Sequence, residues 1–332
     1  MIASLDIIIV NWNSGRHLNR CLESINAATS EEFGLERVIV IDNESRDCSA
    51  KDLPQGELPL RVIRNEENRG FAAACNQGAL GSRADYLLFL NPDVLLGAGS
   101  LSIPLQFMEQ AENHKVGICG IQLLDAQGRL SRSCSSFPTP WHFYARMFGL
   151  DRLLPNRVPG PFLRERDHRE SKRVDVVTGA FFIVRRGVFE SLQGFDECFF
   201  VYFEELDFSN RACQAGWNSY FLATAQAVHH GGACSEQVKA ARLSYSLLSR
   251  IIYGYKHFQW AGATSLLLGT VIVEPLARLT QCAAKGSFRE MLETLQGLFR
   301  VWSVLPGLLR RQSLASQQRA SARRSPSELR QE

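Results

Sequence analysis

Short apolar segments alternate with segments of helical spacing along the first 95 residues, and this alternation constrains the fold more than any other feature. The apolar segments lie at residues 5–10, 38–41, 60–63 and 86–90. Residues 16–28 and 71–80 carry their apolar side chains at the spacing of an amphipathic helix. Strands that alternate with helices in this way form a mostly parallel sheet with helices on its faces. The sequence therefore predicts an α/β fold.

Polar residues follow three of the four predicted strands. Asn11 follows the first, Asp42 the second, and Asn91 and Asp93 the fourth. Ligands of parallel sheets bind beyond the carboxyl ends of the strands. Asp42 suits a hydrogen bond to a nucleotide base or ribose, and Asp93 suits a Mg²⁺ or Mn²⁺ ion that bridges a diphosphate. Taken alone, each of these residues is equally compatible with a turn or a helix cap.

A glycine precedes the second predicted helix, in the sequence Asn68-Arg69-Gly70, and Asn76 lies one turn further on. A glycine at such a position allows a phosphate or a sugar to approach the backbone N–H groups closely. An ordinary turn is the alternative, and it is the more common use of such a sequence.

Two adjacent carboxylates, Glu204 and Glu205, follow the apolar run 201–203 at the start of a predicted helix. The helix dipole stabilises negative charge there, so one such residue needs no further explanation. A pair that directly follows an apolar run costs desolvation energy unless the charges are used. The pair therefore indicates a site that removes a proton from a hydroxyl.

His229 precedes two glycines at the end of the last apolar segment of this region. Neutral imidazole is a common metal ligand, although a single histidine is more often structural. We treat His229 as a candidate metal ligand because it follows the other candidate elements in the chain.

Composition excludes several classes of protein. A net charge of +3 gives no support for nucleic-acid binding, and nine cysteines without a CxxC pair indicate reduced thiols. The N-terminus runs directly into a strand without a secretory signal pattern, which predicts a cytoplasmic protein. The motifs GxGxxG, GxxxxGK[ST] and GxSxG do not occur, which argues against a dinucleotide-dependent dehydrogenase, a P-loop enzyme and an α/β-hydrolase.

The pattern becomes purely helical after residue 242. We expect a catalytic domain at 1–242, a helical region at 243–311 and a disordered basic tail at 312–332.

The apolar run 261–273 ends at Glu274 and Pro275, short of the ~20 residues of a membrane span, and predicts a buried or interfacial helix. Further on, one apolar helical face consists of Phe288, Met291, Leu292, Leu295, Leu298, Phe299, Trp302, Leu305 and Leu309. Nearby arginines suit an anionic membrane surface, and packing on the domain or a second subunit is the alternative.

The motifs occur in the order IIVNWN, DNxSxD, NxGFAxxxN, LNPD, TGAFFxVRR, GFDExFFxYFEExD and HxGG. This series resembles the family 2 glycosyltransferases with the GT-A fold, in the subgroup of bacterial rhamnosyltransferases, over residues 5–260. The resemblance implies inverting transfer of a sugar from a nucleotide-diphosphate donor to a glycan or lipid-linked saccharide in cell-surface polysaccharide synthesis. It favours rhamnose from dTDP-rhamnose as the donor. The apolar face of residues 288–309 and the arginines near it predict a peripheral location on the cytoplasmic face of the membrane.

The resemblance also implies roles for individual residues. Asp93 matches the last acid of the family's metal motif, with Asn91 in place of the first, and His229 matches the histidine of the metal or diphosphate site. Glu205 matches the general base, with Glu204 as the alternative. The residues implied in donor binding are Asn11, Asp42, Asn68, Gly70, Asn76 and Asn91. A non-catalytic nucleotide-sugar-binding scaffold and a sugar-nucleotide pyrophosphorylase remain as alternative functions.

Overall fold

The computed structural model describes residues 2–51, 53, 58–153, 168–232 and 238–323 of the 332-residue chain. The chain divides into two compact units, Met1–Val238 and Lys239–Glu332. The boundary that the sequence predicts, after residue 242, falls within the first helix of the second unit. Residues 239–242 read Lys-Ala-Ala-Arg, all good helix formers, and join that helix.

The first unit contains both strands and helices. Its strands are β1 (Ser4–Asn11), β2 (Gly34–Asn43), β3 (Leu60–Asn65), β4 (Tyr86–Leu90), β5 (Val94–Leu96), β6 (Val116–Leu124), β7 (Cys134–Ser135), β8 (Lys172–Val174), β9 (Val176–Val177), β10 (Phe181–Arg185) and β11 (Asn218–His229). Its helices are α1 (His17–Ala28), α2 (Phe71–Ala79), α3 (Ser102–Glu109), α4 (Pro140–Met147), α5 (Leu150–Leu153), α6 (Arg186–Ser191) and α7 (Glu204–Gln214), with a 3₁₀ turn at Ala111–Asn113.

Nine of the described strands form one mixed sheet, in the order β3-β2-β1-β4-β10-β6-β11-β5 with β8 paired to β11. Each pairing among β1, β2, β3 and β4 is parallel. β10 is antiparallel to both of its neighbours, and β6 and β11 are parallel. The four strands that the alternating pattern predicts are these first four, so the predicted α/β fold is confirmed.

Each face of the sheet carries a hydrophobic core, because successive side chains along a strand point to opposite faces. In β1, Ile7 and Ile9 pack into one core, and Ile8 and Val10 pack into the other. Residues of α1 and α3 complete the first core, and residues of α2, α6 and α7 complete the second. Burial on both faces explains why β1 and β4 read as continuous apolar runs.

The segment 134–173 departs from the alternating pattern and includes α4 and α5. A capping box between Thr139 and His142 begins α4. Phe143 of α4 stacks on Phe203, with 6.1 Å between the ring centroids. The prolines and arginines of this segment predict a mobile flap. This stays a prediction, because residues 154–167 lie outside the described part of the chain.

The described part of the second unit is helical. Its elements are α8 (Lys239–His257), α9 (Trp260–Leu268), a π-helical turn (Gly269–Val273), α10 (Glu274–Ala284) and α11 (Phe288–Arg323). Leu247 of α8 packs with Leu298 and Val301 of α11. The helix α11 extends into the predicted tail because residues 312–323 contain neither glycine nor proline to interrupt it. Residues 324–332 are not among those described.

Helix α9, the π-helical turn and α10 form one continuous stretch of 25 residues, Trp260–Ala284. Among the described residues it is the one helix long and apolar enough to cross a membrane, with a mean hydropathy of 1.4 over its most apolar part. The apolar run ends at Glu274, but the helix continues to Ala284. The prediction that this segment is too short for a membrane span is therefore wrong by length and composition, and a buried or interfacial helix stays a prediction. The π-helical turn lies directly before Pro275, where the helix must accommodate a residue without an N–H group.

Candidate active site

Asp93 and His229 meet where β4 and β11 end. After β4 the chain turns into β5, which pairs antiparallel with the end of β11 so that Val94 lies opposite His229. His229 Nε2 lies 3.3 Å from Asp93 Oδ1. The backbone N–H of His230 donates to the carbonyl oxygen of Asp93 over 3.1 Å. The structure thus brings together the two residues that the sequence assigns to a metal site.

The carboxyl group of Asp93 is buried, yet its surroundings favour the ionised form. Burial acts to raise the pKa of Asp93, but the hydrogen bond and charge of His229, together with the charge of His17, outweigh it and lower the pKa below its ordinary value of 3.8. A carboxylate that stays ionised beside an imidazole can hold a divalent cation.

Two further histidine side chains lie at this position, and the sequence analysis did not select them. The rings of His17, the first residue of α1, and His230 lie 5.3 Å apart. Burial lowers the pKa of His230, and the charges of His17 and Arg20 lower it further. His17 could not be found from spacing, because it comes some 200 residues before His230 in the chain. His230 could have been selected because it directly follows His229.

The donor set suits an ion that is shared with a bound phosphate. Among the described residues, no three His, Cys, Asp or Glu side chains converge as metal ligands. Asp93 and His229 offer a carboxylate oxygen and an imidazole nitrogen, and Asn91 lies half-buried two residues before Asp93. Mg²⁺ and related ions at nucleotide sites take one or two carboxylates, with phosphate oxygens and water as the other ligands. The residues therefore fit such an ion and do not form a closed structural site.

The paired glutamates begin α7 after two residues in the left-handed conformation. Tyr202 and Phe203 have φ angles of +70° and +72°. Such angles cost non-glycine residues roughly 1–3 kcal/mol each and are concentrated at functional sites. They place Glu204 and Glu205 in the first turn of the helix, where the N-terminal N–H groups stabilise negative charge.

The two glutamate side chains have different neighbours. Glu204 is only 5% exposed, and its charge adds to burial in raising the pKa of the Cys75 thiol on α2. Glu205 lies against Gly179, where a Cβ atom would be 3.9 Å from the glutamate side chain. Glu205 therefore borders the segment before β10, whereas Glu204 faces a helix of the second core.

Both carboxyl groups have a raised pKa. Burial raises the pKa of Glu204, and repulsion by Glu205 raises it further. Burial also raises the pKa of Glu205, against hydrogen bonds from the N–H groups of Glu205 and Leu206. Within the described structure, the Oε2 atom of each glutamate has no hydrogen-bond partner. A carboxylate with a raised pKa and an uncommitted oxygen suits a general base.

A direct backbone contact links the two parts of the site. The N–H of Asn91 donates to the carbonyl oxygen of Ala180 over 3.0 Å, between the end of β4 and the start of β10. Gly179, the neighbour of Ala180, contacts Glu205, and Asp93 follows Asn91 by two residues. Asp93 and His229 therefore lie at the same edge of the sheet as Glu204 and Glu205.

The predicted donor residues Asn11 and Asp42 contact one another. Asn11 is fully buried, and its Nδ2 lies 3.1 Å from Asp42 Oδ1, 3.0 Å from Ser45 Oγ and 2.9 Å from Ser49 Oγ. Asn11 therefore holds the loop after β2, while the half-buried Asp42 retains accessible surface at the strand end. Donor contact by Asp42 stays a prediction.

Asn68 and Gly70 form a network with Asn43, a polar residue at the end of the second predicted strand to which the sequence assigned no site role. The side-chain amide of Asn43 donates to Asn68 Oδ1 over 2.9 Å and to the carbonyl oxygen of Gly70 over 3.2 Å. The N–H of Gly70 donates to Asn68 Oδ1 over 3.0 Å. The network fixes the loop that enters α2 beside the end of β2.

Asn76 fixes the turn before the aromatic run. Its Nδ2 donates to the carbonyl oxygen of Phe195 over 2.8 Å, and its Oδ1 accepts the N–H of Phe195 over 2.9 Å. This pair of hydrogen bonds joins α2 to the segment Gly194-Phe195-Asp196, before the aromatic run. It gives Asn76 a structural role, and contact with a donor stays a prediction.

The sheet topology and this edge define the class of protein. A mixed sheet with an acid at the end of β2, a carboxylate–imidazole pair after β4 and a glutamate pair on α7 fits a glycosyltransferase with the GT-A fold. The family model for glycosyl transferase family 2 matches residues 6–193, more than half of the chain. The chain belongs to this family.

Several known proteins are similar to the chain. It is 27% identical over 278 residues to the N-acetylglucosaminyl-diphospho-decaprenol L-rhamnosyltransferase of Mycobacterium tuberculosis, covering 77% of this chain and 86% of the relative. It is 25% identical over 231 residues to the rhamnosyltransferase WbbL of Escherichia coli K12, covering 68% and 82%.

The fold is similar to that of a mannosyltransferase from Pyrobaculum calidifontis, solved with GDP-Man and Mn²⁺. The TM-score is 0.51 at 15% identity, over 93% of this chain and 86% of the other. It is also similar to GalNAc-T7, solved with UDP, GalNAc and Mn²⁺, with a TM-score of 0.52 at 16% identity, over 77% of this chain and 51% of the other. The GT-A fold expected from the sequence is thereby confirmed.

Proposed function

We propose that the protein is an inverting, metal-assisted hexosyltransferase that moves rhamnose from dTDP-rhamnose to a hydroxyl of a lipid-linked saccharide on the cytoplasmic side of the membrane. The observation that carries the proposal is the contact between Asn91 and Ala180. Through this contact the carboxylate–imidazole pair and Glu205 lie at one edge of the sheet. Sugar transfer needs both groups close together, because the site must hold the diphosphate of the donor and deprotonate the acceptor.

Glu205 is the proposed general base. It takes the proton of the acceptor hydroxyl while that oxygen forms a bond to the anomeric carbon of the donor sugar. The bond from the anomeric carbon to the diphosphate oxygen breaks with its electron pair, and the nucleoside diphosphate leaves. Attack from the side opposite the leaving group inverts the configuration, and positive charge develops on the sugar ring in the transition state.

Glu204 is the alternative base, but its surroundings support a structural role. Its side chain is 5% exposed and interacts with Cys75 of α2. Glu205 instead borders Gly179, a residue without a side chain to hinder an approaching acceptor. We therefore assign the proton transfer to Glu205 and assign Glu204 to the start of α7.

Asp93 and His229 would hold Mg²⁺ or Mn²⁺, which supplies positive charge against the diphosphate when it is bound. His17, at the start of α1, lies close enough to interact electrostatically with both His230 and Asp93, and Arg20 lies close enough to interact with His230. They would add donors and positive charge on the leaving-group side. Asp42 at the end of β2 would accept a hydrogen bond from the nucleoside.

Donor and acceptor are proposed from the relatives. The proteins of Mycobacterium tuberculosis and Escherichia coli are both named as rhamnosyltransferases, and the first is named for a decaprenyl diphosphate carrying N-acetylglucosamine. The alignments with these two relatives cover 77% and 68% of this chain, and this coverage supports the same classes of donor and acceptor here.

The test is a thermal-shift screen of the purified chain against nucleotide-diphosphate sugars, with and without Mn²⁺, followed by a transfer assay. We expect dTDP-rhamnose to raise the melting temperature most, and Mn²⁺ to increase that shift. Transfer of rhamnose to a prenyl-diphosphate-linked N-acetylglucosamine should follow, and Glu205→Gln should abolish it. Stabilisation by a sugar donor without turnover of any acceptor would instead support a scaffold. Release of pyrophosphate from a sugar phosphate and a nucleoside triphosphate would support a pyrophosphorylase.

A further inference from the structure

The stretch Trp260–Ala284 exposes an uncharged face. The exposed positions along it are Trp260, Ala261, Ser265, Leu268, Ile272, Leu276, Thr280, Gln281, Ala283 and Ala284, and from Ala261 to Leu276 they recur about once per helical turn. A helix face that meets water normally carries charged residues. The charged residue within 260–277, Glu274, is buried. We call this exposed set the α10 face.

Helix α11 exposes a second apolar face. Leu298 and Val301 pack inward with Leu247 of α8. Large exposed side chains recur at helical spacing along α11 and are Phe288, Leu292, Leu295, Phe299 and Trp302, and Val304 is exposed as well. The sequence grouped Leu298 with these residues, and the structure separates them because Leu298 faces α8. An open groove of about 550 Å³ runs along the exposed set, lined by Leu295, Gln296, Phe299, Arg300 and Trp302. We call the exposed set the α11 face.

The two units differ in net charge. Residues 239–332 contain fourteen lysines and arginines against five acidic residues, a formal charge of +9. Residues 1–238 contain twenty-three basic and twenty-nine acidic residues, a formal charge of −6. Lys285, Arg289, Arg300 and Arg310 are exposed within or beside the two apolar faces. Each basic residue near an anionic membrane surface contributes about 1 kcal/mol of attraction.

We propose that the α10 and α11 faces dock the second unit on an anionic lipid bilayer, with both helices lying in the interface. Aromatic side chains such as Trp260 and Trp302 suit the headgroup level. The inference goes beyond the proposed function, because lipid binding requires no sugar transfer and is measured without it.

The ion pairs of Glu274 favour a helix that lies in the membrane interface over a helix that crosses the bilayer. Glu274 stands in the second half of Trp260–Ala284, buried with Arg250 of α8 and paired with Arg278 at 2.7 Å. Charged groups near the centre of a spanning helix are costly. In an interfacial position this side of the helix stays packed on α8, and only the opposite, uncharged side meets lipid.

The experiment is flotation of the full chain with vesicles of phosphatidylcholine alone or mixed with phosphatidylglycerol. We expect binding to the mixed vesicles that weakens with salt. The triple variants Leu268→Gln/Ile272→Gln/Leu276→Gln and Phe288→Gln/Phe299→Gln/Trp302→Gln should each bind about tenfold more weakly or worse. Arg289→Gln/Arg300→Gln should lose selectivity for anionic lipid. The matched control Ile2→Gln/Leu80→Gln removes exposed apolar side chains of the first unit and should bind like the wild type.

Circular dichroism and melting temperature check that each variant folds. If the triple variant of the α10 face does not fold, the triple variant of the α11 face and the variant Arg289→Gln/Arg300→Gln test the proposal. Wild-type binding to neither vesicle, or unchanged binding of the face variants, would overturn the proposal. Equal binding to both vesicles with resistance to alkaline carbonate would indicate a spanning helix and overturn it too. A wild-type dimer that the face variants convert to monomer, without any lipid binding, would identify the faces as a subunit interface instead.

Discussion

Gly70 lies so close to Phe200 that a side chain at position 70 would collide with it. A Cβ atom on Gly70 would be 2.5 Å from the carbonyl oxygen of Phe200, and the φ angle of Gly70 is +84°. The N–H of Phe71 donates to the same oxygen over 2.6 Å. Because Phe200 lies in the run that leads to Glu204 and Glu205, this contact ties the start of α2 to the segment before the candidate base.

We expect Gly70→Ala to lower the free energy of unfolding by about 2 kcal/mol or more, because it adds a collision with backbone to the strain of a positive φ angle. Denaturant unfolding measures the change. Gly81→Ala is the matched control, since Gly81 also has a positive φ angle, +69°, but open space around its Cβ position. Equal losses in the two variants would show that conformational strain, and not the contact with Phe200, explains the glycine.

Glu205→Gln should lower kcat about 10²- to 10⁴-fold, because it keeps the shape of the side chain and removes the general base. Binding of the donor, measured by thermal shift, should be nearly unchanged. Glu204→Gln is the matched comparison and should reduce kcat far less, since Glu204 is only 5% exposed. The reverse pattern would transfer the role of base to Glu204.

The parts of the site that follow from periodicity could be predicted from the sequence. Residues that directly follow a buried strand, such as Asp42 and Asp93, must lie at the edge of a parallel sheet once the alternation of strands and helices is recognised. The same holds for Glu204 and Glu205, because an apolar run before a helix start fixes where they lie. These positions depend on local pattern and on the topology of connected strands.

Residues that act through distant partners could not be predicted in this way. Asn76 was selected as a donor residue, but its amide bonds to Phe195, 119 residues away. Asn43 could be recognised only as a polar residue at a strand end, and its hydrogen bonds to Asn68 and Gly70 could not be predicted. The length of the helix Trp260–Ala284 was missed because the apolar run stops at Glu274 and a proline follows it. A buried glutamate is acceptable there because it pairs with Arg250 and Arg278.

Asp93→Asn should raise the concentration of Mn²⁺ needed for half-maximal activity by about tenfold or more, because the amide lacks the negative charge that attracts the ion. The donor KM should rise with it. Activity measured across a Mn²⁺ titration tests this. Asp85→Asn is the control, an acidic residue directly before β4, at the opposite end of that strand from Asp93, where it accepts a hydrogen bond from Ser4. An unchanged Mn²⁺ dependence in Asp93→Asn would remove Asp93 from the metal site.

The last prediction concerns the pH dependence of stability. Burial and the charge of Glu205 raise the pKa of Glu204 well above its ordinary value of 4.5. The folded protein therefore favours the protonated form of Glu204. The stability associated with this group is fully present below pH 4.5 and is lost as the pH rises through the raised pKa.

Glu204→Gln cannot ionise, so it should keep the stability that the wild type loses. We expect the melting temperature of the variant relative to the wild type to increase as the pH rises from about 5 to about 9. Scanning calorimetry in matched buffers measures the difference. Glu23→Gln, which replaces an exposed carboxyl group on α1, should show a difference that does not change with pH. A Glu204→Gln difference that stays constant or falls with rising pH would mean that Glu204 is held ionised in the fold, and the two glutamates would then have to share their charge with a cation bound at the site.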